Sequence, residues 1–482
     1  MTPVVRDNIV LLMADQHQAS RSRCYGDSAV MTPAIDRLAS EGVRFDRAYC
    51  NAPLCMPARA SLLTEKLVSS HRIDSNRGQV PAGITNFVRA LSEAGYFTAE
   101  IGKMHFWEHG GPYSHVNQRR DYMESLGFRY SDELVGKVAS LVVRDSYSDY
   151  LQSLDLLDDY HRSVRASIPR DRSNPDMLFG THYLSATPVP FAGRHHVDRW
   201  LGRKVAEWID NYSDRQPFLL WVGWPGPHSP YDAPKADVEE YADADVRLGS
   251  IMRPSVPDSQ SGSSEKRRPI FITSDPAFVS STAIRRAIRA YLADISIIDE
   301  AISLVIETLS RNQMMDRTWI IYTSDHGEML GSHGLFGKQV FYEESVRVPL
   351  IIRPPGRLGS ALRNITSPHL AEHVDLAATI RQIAHVESDP TGHGHALFND
   401  EHLPIAVREA VRSENLGLVM VSNGRHKVVA DADTGELLQV FDLKVDPCEN
   451  YNIASSASVL DDVSGLITEH LKPYIASRHN DD

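Results

Sequence analysis

Nucleophiles, metal ligands and proton carriers are made from few side-chain types, chiefly cysteine, aspartate, histidine and lysine, and here these fall into short groups. Cys55 precedes Pro57 and Arg59 in the run Asn51 to Thr64 (NAPLCMPARASLLT). Proline is favoured in the first turn of a helix, so the run predicts a loop that becomes a helix at the cysteine. A nucleophile there feels the positive end of the helix dipole, and Arg59 adds a fixed charge one turn further on. The other groups are Asp15 with Gln16, Lys103 with His105, His228, Asp325 with His326, and Lys338.

Most of these groups directly follow an apolar run. Ile9 to Met13 (IVLLM), Phe218 to Val222 (FLLWV) and Trp319 to Thr323 (WIIYT) read as buried strands. Thr32 and Pro33 offer an N-cap and a first-turn proline for a helix that Gly42 stops. Thr85 to Ala94 predicts a second helix, closed by Gly95 and followed by a short strand running into Gly102. Strands separated by helices imply an α/β fold, with a large, mainly parallel sheet sandwiched by helices. Open sheets of this kind bind ligands at the carboxyl ends of their strands, so Asp15, Gln16, His105, His228, Asp325 and His326 are expected on one rim. Ala283 to Asn312 has helical apolar spacing and predicts one amphipathic packing helix. Ser255 to Arg268, rich in Ser, Pro, Gly and charge, reads as an exposed insertion. After residue 385 the pattern changes to short β-like runs, at Leu416 to Val421, His426 to Ala430 and Leu437 to Leu443, and then a closing helix. The expected division is a catalytic domain over 1–385 and a smaller antiparallel C-terminal subdomain over 386–482.

Composition narrows the function classes. With 482 residues, 42 % hydrophobic and 23 % charged, the chain fits a folded enzyme-sized protein rather than a disordered or fibrous one. A formal charge of −13 leaves no global basic surface for nucleic acid or an anionic membrane. No stretch approaches the length of a membrane span. The 4 cysteines are too few for a disulfide scaffold and predict a reducing, cytoplasmic compartment. The N-terminal apolar run is cut short by Asp15 and reads as a first strand rather than a leader.

The run around Cys55 resembles the core of the type I sulfatases, the formylglycine-dependent branch of the alkaline phosphatase superfamily. Their C-x-P-x-R pattern directs oxidation of the cysteine. Further segments are similar too: Gly102 to His105, His228 before Pro230, Ser345 to Ile352, His373 to Leu376, and Phe441 to Asn452. One position departs, since relatives usually have glycine where Glu65 stands.

The resemblance implies an alkaline-phosphatase-like fold and a sulfuric ester hydrolase. Cys55, converted to formylglycine by a formylglycine-generating enzyme, would give the nucleophile, with Arg59, Lys103, His105, His228 and Lys338 as catalytic residues. Asp15, Gln16, Asp325, His326 and the converted Cys55 would hold one divalent metal, with calcium favoured and manganese or zinc as alternatives. His105 would deprotonate the remaining diol hydroxyl, and His228 or Lys338 would protonate the leaving group. The substrates implied are sulfate monoesters, aryl or small alkyl, with choline-sulfatases as near relatives, and the assembly implied is a homo-oligomer. A phosphonate monoester or phosphodiester hydrolase is the closest alternative, since it shares the Asp-Gln and Asp-His pairs. That branch tends to carry Tyr and Thr where this chain has Lys103 and His105. A non-catalytic oxyanion-binding protein would be expected to have lost one of Cys55, Arg59, Lys103, His105 or Asp325, and all are present.

Overall fold

The computed structural model describes residues 6–168, 185–250, 280–456 and 461–480, so the insertion expected over Ser255 to Arg268 lies outside the described residues. In order come β1 (Asn8–Ala14), α1 (Pro33–Ser40), β2 (Val43–Tyr49), α2 (Cys55–Thr64) and α3 (Phe87–Glu93). They are followed by β3 (Phe97–Gly102), β4 (Tyr130–Glu133), α4 (Val197–Asn211), β5 (Phe218–Trp224) and α5 (Ser281–Arg311). Next are β6 (Thr318–Ser324), β7 (Arg347–Val348), β8 (Leu350–Arg353), β9 (Ile365–Glu372) and α6 (His373–Ile383). The chain closes with β10 (Val411–Asn415), β11 (Leu418–Ser422), β12 (His426–Asp431), β13 (Leu437–Asp442) and α7 (Lys472–Asn480).

Among the described residues the large sheet has nine strands, and β1 lies near its middle, parallel to β5 on one side and β6 on the other. Strands β3 and β4 extend it in parallel beyond β5, and β2 pairs in parallel with β9. Among the described residues antiparallel pairing enters this sheet through β8, which joins β2 to β6, and through β7, which pairs with β2 at the edge. The expectation of a mainly parallel sheet holds. Every residue of β1 is buried, because side chains alternate between two apolar cores. Ile9, Leu11 and Met13 belong to one core, and Val10, Leu12 and Ala14 to the other, which α4 and α5 cover.

Register decides where the functional residues emerge. Ala14 at the end of β1 lies opposite Trp224 of β5 and Ser324 of β6, while Gly102 of β3 lies opposite Gly223. Four strands therefore end level, and the residues following them share one rim. Gly102 and Gly223 let the backbones close there, since a Cβ on either would come within 2.2 Å of a carbonyl oxygen of the facing strand or its continuation.

Two local expectations are corrected. Thr32 precedes α1 but makes no capping bond, its hydroxyl being engaged with Arg23 and Asp36. The free amides at the start of α1 are instead taken by Asp299 of α5, from Ala34 at 2.9 Å and Ile35 at 2.8 Å. In the C-terminal four-stranded antiparallel sheet, Leu416 and Gly417 are not strand but the positive-φ hairpin turn between β10 and β11. Asp299→Asn replaces one acceptor oxygen by a donor and should cost about 1–2 kcal/mol of stability, read as a shift of the urea midpoint at unchanged slope.

Candidate active site

Helix α2 begins at Cys55, with Leu54 extended before it as the N-cap, and every side chain of the helix is buried. Leu54 has no polar side chain with which to cap the first amides, of which that of Met56 donates to Asn76 Oδ1 at 3.0 Å, and Cys55 sits at the positive end of the helix. The Cys55 Sγ lies 2.9 Å from Lys338 Nζ, 3.3 Å from His326 Nε2 and 3.8 Å from Asp15 Oδ1. Burial alone would raise its thiol, yet Lys338, Lys103, His326 and a bond from His105 outweigh it and hold the group well below the ordinary thiol range. The pocket is built to hold negative charge at this atom.

The acidic residues are fixed by cations and backbone. Asp15 pairs with Lys103 and lies 3.5 Å from Arg59 Nη2. Burial and Cys55 push its carboxyl up, but Lys103, His228 and Lys338 prevail and keep it ionised far below the usual carboxylate range. Asp325 accepts from Arg59 Nε at 2.8 Å and from the amides of Gln16 at 3.0 Å and His326 at 2.9 Å. Arg59 also donates to the Lys103 carbonyl, while among the described residues its Nη2 has no hydrogen-bond partner.

The expected metal ligands come together. Oxygens of Asp15 and Asp325, His326 Nε2 and Cys55 Sγ all lie within 4.8 Å of one another and are buried. Two carboxylates and an imidazole at this spacing fit one divalent cation, with a hard oxygen favoured where the sulfur stands. Gln16 is brought to the same place at φ 74°, its Oε1 accepting from Lys338 Nζ at 2.8 Å. Its amide nitrogen donates to Glu328, so the oxygen is the end that faces the cluster.

The two remaining histidines are held neutral. Burial, with His109 and Lys103 adding to it, takes His105 down to about 3, and among the described residues its Nδ1 has no hydrogen-bond partner. Burial and then Lys338 lower His228, whose Nδ1 lies 2.7 Å from the Ser229 carbonyl. A carbonyl only accepts, so Nδ1 carries the proton and Nε2 is the unprotonated nitrogen, while the ring also bonds Cys55.

Every candidate read from the sequence reaches this site, and three contributors were missed. Glu328 orients Gln16 while accepting from the Leu330 amide at 3.1 Å, and burial raises its carboxyl to about 7. The signal was present in its position just past Asp325 and His326. Tyr291 of α5, read as packing, donates to the Gln16 carbonyl at 2.7 Å and accepts from the Gln18 amide at 2.8 Å. A lone tyrosine in an apolar stripe gives no such hint. His17 bonds Tyr322 at 2.5 Å beneath the same loop, and burial takes it down to about 4.

With fold and site in place, comparison with known proteins identifies the class. The family profile for sulfatases matches residues 7–386, so the chain belongs to the sulfatase family and is a sulfuric ester hydrolase. The arylsulfatase of Clostridium perfringens is 27% identical over 462 residues, covering 94% of this chain and 91% of that one. The choline-sulfatase of Rhizobium meliloti is 27% identical over 463 residues, covering 94% of this chain and 83% of its own. Among solved structures, the phosphonate monoester hydrolase of Agrobacterium radiobacter superposes with a TM-score of 0.76 at 21% identity, over 98% of this chain and 96% of that one.

The departure at Glu65 also has a physical account. Glu65 ends α2 at φ 58° and ψ 22°, the left-handed conformation that glycine adopts without strain. Its carboxylate pairs with the buried Arg381 of α6. Relief of left-handed strain is worth about 1–2 kcal/mol, whereas stranding a buried partner costs about 3–5 kcal/mol. Glu65→Gly should therefore destabilise by about 2–3 kcal/mol, and Glu65→Gly with Arg381→Met should recover most of that loss in thermal unfolding.

Proposed function

We propose that the protein hydrolyses sulfate monoesters, aryl or small alkyl, with Cys55 as the precursor of its nucleophile. The observation that carries this reading is the buried Cys55 at the start of α2, ringed by Arg59, Lys103 and Lys338 and by the Asp15, Asp325 and His326 donors. Conversion of Cys55 to formylglycine would supply, as the hydrated aldehyde, a hydroxyl nucleophile and a second hydroxyl through which sulfate is released. A divalent cation held by Asp15, Gln16, Asp325 and His326 would polarise that hydroxyl and neutralise the ester, calcium being favoured over manganese or zinc.

The chain's own residues supply the rest. Arg59, Lys103 and Lys338, each withdrawn from water, present fixed positive charge to the sulfuryl oxygens, where such charge counts for most. His105, held neutral and bonded to Cys55, is placed to accept a proton from the group at that position. His228 exchanges protons through Nε2, and an arriving anion favours its charged form, so it can protonate the departing oxygen. Lys338 steadies charge developing on the same oxygen.

A phosphonate monoester or phosphodiester activity is the second reading, supported by the likeness to the Agrobacterium radiobacter structure and by the tetrahedral oxyanion common to both ester classes. Lys103 and His105 weigh toward sulfate. A non-catalytic oxyanion-binding role has no lost residue to support it. Residues 1–385 would carry the chemistry, with 386–482 as the smaller subdomain. Maturation by a formylglycine-generating enzyme, a cytoplasmic location and a homo-oligomeric state complete the proposal. Among the described residues no helix is long and apolar enough to cross a membrane.

Mass spectrometry of the tryptic peptide containing Cys55 should show a loss of about 18 mass units, and the same sample should turn over an aryl sulfate faster than an aryl phosphonate monoester. Full activity with an unmodified cysteine would overturn the nucleophile, and faster phosphonate turnover would promote the second reading. Glu328→Gln sets an amide nitrogen against that of Gln16, so divalent-metal affinity should fall about 10–100-fold in a titration of chelator-treated enzyme.

A further inference from the structure

Beneath the segment that carries His228 lies a buried ionic cluster that the chemistry above does not use. It gathers Lys137 from the segment after β4, His196 and Asp198 at the start of α4, Asp232, and Asp294 of α5, all buried. Lys137 Nζ donates to the Pro230 carbonyl at 3.1 Å and to the Asp232 carboxylate, and lies 3.8 Å from Asp294 Oδ2. His196 Nε2 is 3.2 Å from Asp232 Oδ1 and 3.7 Å from Asp294 Oδ1, and its Nδ1 is 3.7 Å from Asp198 Oδ2. Asp198 Oδ1 accepts from the Gly226 amide at 3.3 Å. The cluster thus grips the chain at Gly226, Pro230 and Asp232, on both sides of His228. The Gly226 carbonyl in turn accepts from the Asp15 amide at 3.0 Å, tying the same segment to the acidic group of the site.

His196, Asp232 and Asp294 come close enough together to hold a metal ion. The Lys137 ammonium is already seated against two of those carboxylates, so the protein supplies its own cation there. Burial pushes the Asp294 carboxyl up, which lets one carboxyl of the cluster stay neutral and brings its charges toward balance. A buried, balanced cluster is costly to rearrange, and one that holds a short segment at both ends makes that segment rigid.

We propose that Lys137 is a positioning residue for His228, its ammonium fixing the Pro230 carbonyl and Asp232 and so setting where the imidazole meets the leaving oxygen. The proposal rests on the reading of His228 as the acid that protonates that oxygen. Misplacing a catalytic group by about 1 Å costs about 100-fold, but only for substrates that need it. Good leaving groups depart without a proton, and poor ones do not.

The test is kcat/KM for a series of aryl sulfates running from 4-nitrophenyl to phenyl sulfate, measured for wild type, Lys137→Met and His228→Ala. Lys137→Met should lose about 100-fold on phenyl sulfate and only about twofold on 4-nitrophenyl sulfate, with His228→Ala showing the same trend more steeply. Because Lys137→Met takes the ammonium from the Asp232 carboxylate and leaves it His196 alone, Lys137→Met/Asp232→Asn is assayed beside it and should fold and show the same leaving-group dependence. A uniform loss in His228→Ala would overturn the acid reading and the proposal with it. A leaving-group dependence in His228→Ala with a uniform loss, or none, in both Lys137 variants would overturn the proposal alone. A second equivalent of tightly bound divalent metal, lost in Asp294→Asn, would also overturn it by making the cluster a cation site.

Discussion

The structure depends on keeping several unlike charges buried together. Asp15, Asp325, Arg59, Lys103 and Lys338 are each almost wholly withdrawn from water. Any one of them alone would cost several kcal/mol to desolvate, and the cost is offset only if all arrive in register. That requirement explains why the strands bearing them end level and why β1, the strand that leads into Asp15, is buried on both faces. A slip of one residue along β1 would exchange its two apolar faces and carry Asp15 out of reach of Lys103. The hydrophobic cores and the ionic site therefore specify the same register by independent means.

This constraint also marks what could be read from the sequence. The strands Ile9 to Met13, Phe218 to Val222 and Trp319 to Thr323 were legible because a doubly buried parallel strand is an uninterrupted apolar run. The rim followed from them, since ligands in such sheets gather where strands end. Strand β2 was not legible: VRFDRAY mixes charge with apolar residues because several of its side chains are only partly buried. Strand β10, VRSEN, hides its polar residues by bonding rather than by apolarity, with Glu414 receiving Ser69 and Asn415 donating to the Gln339 carbonyl. Composition cannot announce contacts made between segments hundreds of residues apart.

The same limit governed the site. Residues that touch the reacting group could be recognised because their types and order are chemically restricted. Residues that orient them could not, because any polar side chain at the right distance serves. Glu328 sets the direction of the Gln16 amide, Tyr291 holds the backbone on which Gln16 sits, and Asp299 replaces a cap that Thr32 was expected to provide. Two of these three lie on α5, whose 31 residues cross beneath the rim. Its apolar stripe explains why it packs, and its isolated polar residues explain what it holds in place.

One electrostatic field serves two purposes at the rim. Lys103 and Lys338 keep Asp15 ionised, and they also disfavour protonation of His105 and His228, adding to the effect of burial. Cations that must never lose their charge are thereby separated from imidazoles whose charge can change during the reaction. Lysine and arginine suit the first role because their ordinary proton affinities lie far above neutrality, and histidine the second because a modest field moves it across. Exchanging the types would fail on both counts, since a histidine in place of Lys103 would leave Asp15 with a partner that the same surroundings discharge. The identity of each residue at the rim is thus fixed by its neighbours' charge as much as by the reaction.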